Sequence, residues 1–203
     1  MGWIAIVPGR DKKAIKELKA VEKTVSQEKL AKYCRKTQYW DVYRKAVAKI
    51  TDQDLLADLV INSRDGDSGI AALQNIQDQN KLFEIAGKVK PGYLRMEVVN
   101  KLIDADLAQK LYTEIAKDET ESFPIRIQAI DKLQDQALCQ WVYTDIAKNI
   151  KRHSFNGTDE VDAAVKAIKH LTDLDVLADV MENSRPDTMI RFAAEKRIDE
   201  LKR

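Results

Sequence analysis

Apolar side chains recur along this sequence at helical spacing, and the pattern itself repeats. It is described most simply from seven reference positions. These are Thr24, Ile50, Ile76, Leu102, Leu133, Leu171 and Ile198. Four residues before each of them stands Ala or Val, and three before the first six stands Val, Leu or Ile. Such spacing is one stripe of an amphipathic helix, so the sequence predicts a helix that ends near each reference position.

A residue able to cap a helix stands two positions after each of the first six reference positions. These are Ser26, Asp52, Asp78, Asp104, Asp135 and Asp173. Their side-chain oxygens can accept hydrogen bonds from the free N–H groups of a first helical turn. Lys, Arg or His usually precedes the reference position and suits the negative end of a helix. We therefore expect a second helix to begin after each short turn, which predicts antiparallel helix pairs.

The predicted second helices carry their own apolar stripe six, nine and ten residues after each of the first six reference positions. Over roughly residues 12–203 the pattern resembles short HEAT-like, armadillo-type repeats of the bacterial kind. The resemblance implies an all-α fold, an α-α superhelix (HEAT-like solenoid) of about six antiparallel helix pairs plus a terminal half-repeat. The alternative is a non-repetitive helical bundle, which would not need a cap after every reference position.

Three segments depart from the repeat. Residues 1–11 fit no helix pair, and we expect Trp3 and Ile4 to cover the first one. Most neighbouring reference positions are almost evenly spaced, but the intervals that end at Leu133 and Leu171 are longer than the others. We therefore expect insertions near residues 117–124 and 150–160 in an otherwise single domain spanning 1–203.

Composition agrees with a helical chain. Gly and Pro number only 7 and 4, and hydrophobic residues make up 44%. The formal net charge is +1, from 34 basic and 33 acidic residues, so no global attraction for nucleic acid or an acidic membrane is expected. No apolar run approaches the ~20 residues of a membrane span, and no secretory signal is visible. We expect a cytoplasmic protein with reduced thiols.

Candidate chemistry is sparse. The two histidines, His153 and His170, are well separated in the sequence, and no metal or cofactor site is predicted. Cys34 and Cys139 stand in the apolar stripe of second helices, where a cysteine acts as a small hydrophobe. The repeated Asp residues are accounted for as helix caps. We expect no catalytic group and no enzyme activity.

The position eight residues after each reference position is polar in most repeats, so it should face solvent. Trp141 stands there in one repeat, and we consider it the strongest candidate for contact with a partner protein. The same register holds the other candidate partner-binding residues, Asp58, Glu84, Lys110 and Asp179. The alternative is that the insertion around Phe155 folds over Trp141 and buries it.

Three arginines stand seven residues before their reference positions, in a register that other repeats fill with Tyr43, Gly69 and Ala164. They are Arg95, Arg126 and Arg191. One interpretation is a basic strip for an anionic partner. The other is that each arginine pairs with a carboxylate of the adjoining repeat.

The leading functional hypothesis is a module or scaffold that binds another protein on the concave face formed by its second helices, with oligomeric state undetermined. Two alternatives remain open. The resemblance also admits an enzyme or enzyme-assisting protein, like the HEAT-like bilin lyases or alkylbase DNA glycosylases, although no residue here maps onto their sites. Nucleic-acid binding would use the arginine register with Lys151 and Arg152.

Overall fold

The computed structural model describes residues 11–149, 158–184 and 188–203, and this part of the chain is all-α, with thirteen helices and no strand. The helices are α1 Lys12–Lys23, α2 Gln27–Lys36, α3 Trp40–Val47, α4 Gln53–Ile61, α5 Gly66–Leu73, α6 Gln79–Ala86, α7 Gly92–Asn100, α8 Ala105–Lys117, α9 Phe123–Ile130, α10 Gln136–Asn149, α11 Thr158–His170, α12 Leu174–Asn183 and α13 Met189–Leu201.

The predicted helix breaks and caps are confirmed. Each of the six predicted caps accepts a hydrogen bond from a backbone N–H of the helix that follows it. Asp52, for example, uses one carboxylate oxygen to accept from Asp54 N at 3.0 Å and from Leu55 N at 3.1 Å. These bonds satisfy amides that the first turn of a helix leaves free.

The chain folds into two compact units, Met1–Ile103 and Asp104–Arg203. In the first unit, α1, α3, α5 and α7 pack side by side in sequence order as one layer. Helices α2, α4 and α6 form the second layer in the same way. Between the layers the backbones pack closely where α2 meets α3, α4 meets α5, and α6 meets α7.

The second unit repeats this arrangement with its own helices. Helices α9, α11 and α13 pack in order, and α10 packs against α12. Between these rows, α8 packs on α9, α10 on both α9 and α11, and α12 on α13. The predicted apolar registers form the core of both units. Five residues that stand four positions before a reference position have no exposed surface. They are Ala46, Ala72, Val98, Ala129 and Ala167.

Part of the first predicted insertion is helix. Helix α8 has 13 residues, where α2, α4 and α6 have 8 to 10, and α9 begins at Phe123 after a short turn. In the second predicted insertion, α11 begins at Thr158. The remainder of that insertion, and the first ten residues expected to cover α1, lie outside the described residues. None of the described helices is both long and apolar enough to cross a membrane.

Glutamine side chains join successive helix pairs at their turns, a feature that the sequence patterns did not reveal. Gln27, the first residue of α2, donates from Nε2 to the Lys49 carbonyl oxygen at 3.3 Å. Its Oε1 accepts from Thr51 N at 2.8 Å and Asp52 N at 3.2 Å. The Gln27 side chain therefore satisfies both a backbone acceptor and backbone donors in the turn of the next helix pair.

The same joint recurs along the chain. Gln53 makes it with residues 75–78, and Gln79 with residues 101–103. In the second unit, Gln109 bonds the Lys132 carbonyl oxygen at 2.7 Å, and Gln140 bonds the His170 carbonyl oxygen at 2.8 Å. We call these five glutamines the glutamine joints.

Basic residues beside the reference positions donate hydrogen bonds to the end of the first helix in the preceding helix pair. Lys49 Nζ donates to the carbonyl oxygens of Val21, Glu22 and Thr24 at 2.7 to 2.9 Å. Lys101 Nζ likewise donates to the carbonyl oxygens of Leu73 and Gln74 at the end of α5. Burial lowers the pKa of Lys101. The sequence predicted cations at helix ends, but the helix end that Lys49 contacts belongs to the preceding pair, not to its own helix.

Candidate functional site

Trp141 lies on the outward face of α10, and 47% of its surface is exposed. The next two residues, Val142 and Tyr143, are buried, so the helix turns its core side away from the indole. An exposed tryptophan on a rigid helix offers a large apolar area with a polar N–H at its edge. Most of the insertion that could cover it, including Phe155, lies outside the described residues.

The two neighbouring positions of this register in the second unit are also exposed. Lys110 stands on α8 and Asp179 on α12, the helix that packs against α10. The Asp179 carboxylate accepts a hydrogen bond from Asn183 Nδ2 at 2.6 Å within its own helix. The face of these second helices therefore presents a cation, an indole and an anion in the same register. We refer to these three residues as the Trp141 face.

In the first unit, the two carboxylates of this register, Asp58 and Glu84, are engaged in ion pairs. Asp58 on α4 pairs with Arg35 on α2 at 2.6 Å. Glu84 on α6 pairs with Lys88 at 2.7 Å and with Lys81 at 3.0 Å, and Lys81 also reaches Asp54 on α4. The Lys88 and Lys81 ammonium groups hold the pKa of Glu84 below its usual value.

These exposed ion pairs contribute little stability individually, because water and salt screen them. They do occupy the carboxylates that the sequence suggested for partner contact. A partner that uses Asp58 or Glu84 would have to displace a lysine or arginine already bound there. Their part in binding stays a prediction, and we give more weight to the Trp141 face.

The arginine register does not form a basic strip, because most of its positions face the core. Arg126 is only 1% exposed, and its Nε donates to the Ala116 carbonyl oxygen at 2.9 Å. Its Nη2 lies 2.8 Å from Asp145 Oδ2 as an ion pair, although the angles are not those of a hydrogen bond. Anion binding by Arg126 is therefore corrected to a structural role inside the second unit.

The other two arginines are partly buried. Arg95 is half-buried on α7, and Arg191 pairs along its own helix with Glu195 at 3.0 Å. Tyr43 and Ala164, which fill this register in other repeats, are 2% and 0% exposed. The register therefore packs toward neighbouring helices. Arg126 and Arg191 do pair with carboxylates, but Asp145 lies on the second helix of the same pair and Glu195 lies on α13 itself, so the expected pairing with an adjoining repeat is wrong for both.

The described residues offer no reactive cysteine and no cluster of metal ligands. Both cysteines are buried and free, and burial raises the pKa of Cys34 to about 12 and also raises the pKa of Cys139. Protonated, inaccessible thiols are poor nucleophiles. No three His, Cys, Asp or Glu side chains within the described ranges come together as a metal would require.

Comparisons of the chain with protein-family models, with curated proteins and with solved structures found no significant match.

Proposed function

We propose that this chain is a HEAT-like helical-repeat module that binds another protein through the Trp141 face of its second helices. The proposal extends to an α-α superhelix in which these helices line the concave side. The observation that carries it is the exposed indole of Trp141 in a register that the other described repeats fill with charged side chains.

The physical case rests on the contrast between Trp141 and its surroundings. Burying an exposed tryptophan in a partner's pocket contributes a large apolar area at low entropic cost, which is why tryptophan is frequent at binding hot spots. Lys110 and Asp179 would flank such a contact with opposite charges, and rim charges of this kind set orientation more than affinity. Val142 and Tyr143, the next residues of the helix, are buried, so the indole stands on a packed helix.

The experiment compares immobilised wild-type protein with Trp141→Ala in affinity purification from the source cells. We expect a specific partner to be retained by the wild type and lost by the variant, because truncating a hot-spot residue typically costs at least about 2 kcal/mol, or roughly 30-fold in affinity. Hydrogen exchange on the isolated complex should then show protection of α10.

Phe83→Ala is the matched control, because Phe83 is also 47% exposed and stands on a second helix. A partner retained equally by Trp141→Ala and the wild type would show that this face is not the docking surface. Equal loss with both variants would indicate nonspecific hydrophobic capture.

A further inference from the structure

The near-zero net charge conceals a strong segregation of charge along the chain. Residues 1–50 contain 13 Lys and Arg against 5 Asp and Glu, whereas the whole chain has 34 and 33. Most of this excess falls on the first helix pair and on α3. A local field of this kind acts on partners within a Debye length regardless of the total charge.

Four lysines lie on one face of α1. Lys12, Lys16, Lys19 and Lys23 are spaced i, i+4, i+7 and i+11, so they project in nearly the same direction along about 16 Å of helix. All four are exposed, and none forms an ion pair with a described residue. We call them the α1 lysine row.

Acidic side chains do not neutralise the α1 lysine row. Helix α3, which packs beside α1, carries an exposed Arg44 and an exposed Asp41 of opposite charge. The acidic residues of α1 are directed elsewhere. Glu17 accepts a hydrogen bond from Thr37 Oγ1 at 2.8 Å, and Glu22 pairs with Lys45 at 2.9 Å.

The α1 lysine row works against helix stability. Like charges at i, i+3 or i+4 destabilise a helix by about 0.2–0.5 kcal/mol per pair, and the row contains three such pairs. Elsewhere the described chain places many cations in ion pairs, as Arg35, Lys81 and Lys166 illustrate. An unpaired lysine row with a stability cost is the arrangement expected of a surface that meets a polyanion.

We propose that the α1 lysine row binds the phosphate backbone of a nucleic acid. One strand carries a charge about every 3.4 Å along a duplex, so the row is long enough to follow about five phosphates. Lysine is depleted in protein–protein interfaces, and the large exposed hydrophobic side chain of the described α1–α2 segment is Val25, in the turn between the two helices. One apolar side chain is too little to anchor this surface in a membrane. This proposal is independent of the Trp141 face.

The test measures binding of a fluorescein-labelled oligo(dT) of about 20 nucleotides, and of a duplex of equal length, by anisotropy across a salt series. We expect wild-type affinity to fall steeply with salt. Replacing Lys12, Lys16, Lys19 and Lys23 together with Gln should reduce the slope of log K against log salt by about 3 for the single strand, because each lost phosphate contact contributes about 0.7. Affinity at about 50 mM salt should drop at least tenfold.

The matched control removes four other exposed lysines, namely Lys90, Lys117, Lys132 and Lys202, by the same change to Gln. This variant has the same net charge and should bind within about a factor of three of the wild type. Thermal unfolding checks the fold, and the α1 variant should be no less stable than the wild type, because a like-charge repulsion is removed.

Three results would overturn the proposal. The first is no wild-type binding to either oligonucleotide at low salt. The second is that both quadruple variants bind the oligonucleotides equally weakly, which would show that only the net charge of the protein matters. The third is binding to phosphatidylserine-containing vesicles without binding to the oligonucleotides, which would assign the row to a membrane surface.

Discussion

At Arg126 a single buried guanidinium serves two partners, the Ala116 carbonyl oxygen and the Asp145 carboxylate. Substituting Arg126→Met would leave the largely buried Asp145 charge without its counter-ion. We expect the free energy of unfolding to fall by about 3 kcal/mol, since removing one member of a buried pair is strongly destabilising. Urea denaturation followed by circular dichroism measures the change.

Two further variants separate this explanation from a general loss of packing. The double variant Arg126→Met/Asp145→Leu should recover more than half of the loss, because no unpaired charge remains. Arg191→Met should cost only about 0.5 kcal/mol, because its pair with Glu195 lies on a helix surface. A cost for Arg126→Met as small as that of Arg191→Met would contradict the structural role.

The sequence could have indicated that Arg126 is not a binding residue. Its register holds Tyr43, Gly69 and Ala164 in other repeats, which are residues of a packed surface. The positive charges of this register suggested a basic strip. The carboxylate that neutralises Arg126 belongs to Asp145 on the following helix, so it was not visible in that register. The partner of a buried cation depends on tertiary packing, which spacing along one helix does not reveal.

At the scale of the helices, the glutamine joints predict a measurable contribution to stability. Gln53→Ala removes the side-chain acceptor for Gln77 N and Asp78 N, which lie 2.9 and 3.2 Å away. Because these exposed amides can bond water instead, we expect a loss of only about 1 kcal/mol in the free energy of unfolding. Chemical denaturation measures it.

Gln38→Ala is the control for that variant. Gln38 is exposed, and its side chain takes part in no hydrogen bond among the described residues. Its replacement should change the free energy of unfolding by less than about 0.5 kcal/mol. Equal effects of Gln53→Ala and Gln38→Ala would mean that the joint contributes nothing beyond helix propensity.

Helix starts and ends were predictable from the sequence, whereas the joints between them were not. A cap such as Asp52 acts on backbone amides two or three residues away, so its chemistry is local and repeats with the helix. Gln53, by contrast, acts on the turn of the next helix pair. A clue was present, because Gln27, Gln53 and Gln79 each stand three residues after a reference position. An exposed glutamine is so common on helices that this recurrence had little weight without coordinates.

At the scale of the whole molecule, the chain divides into the two compact units Met1–Ile103 and Asp104–Arg203. In repeat arrays each element depends mainly on its neighbours, so a local defect should open nearby helices first. We expect Arg126→Met to raise amide hydrogen exchange more in α8–α11 than in α1–α6. Hydrogen-exchange mass spectrometry under native conditions measures both sets of helices at once.

Gln53→Ala provides the reciprocal variant, because its bonds lie in the first unit. It should raise exchange around α4 to α6 more than in α10 to α13. A uniform rise across the chain with either variant would show that the two units open together. The sequence predicted a helical repeat architecture but no boundary near Ile103, because the repeat pattern continues through that residue without interruption.

The joints also differ in their place along the helix. Gln27, Gln53 and Gln79 open their helices, whereas Gln109 and Gln140 are the fifth residues of theirs, one turn further on. A shift of one turn along a helix returns the amide group to nearly the same side, where it reaches the same kind of partner. A repeat of different length can consequently replace another and still bond to the next turn, provided that its glutamine is displaced along the helix by whole turns.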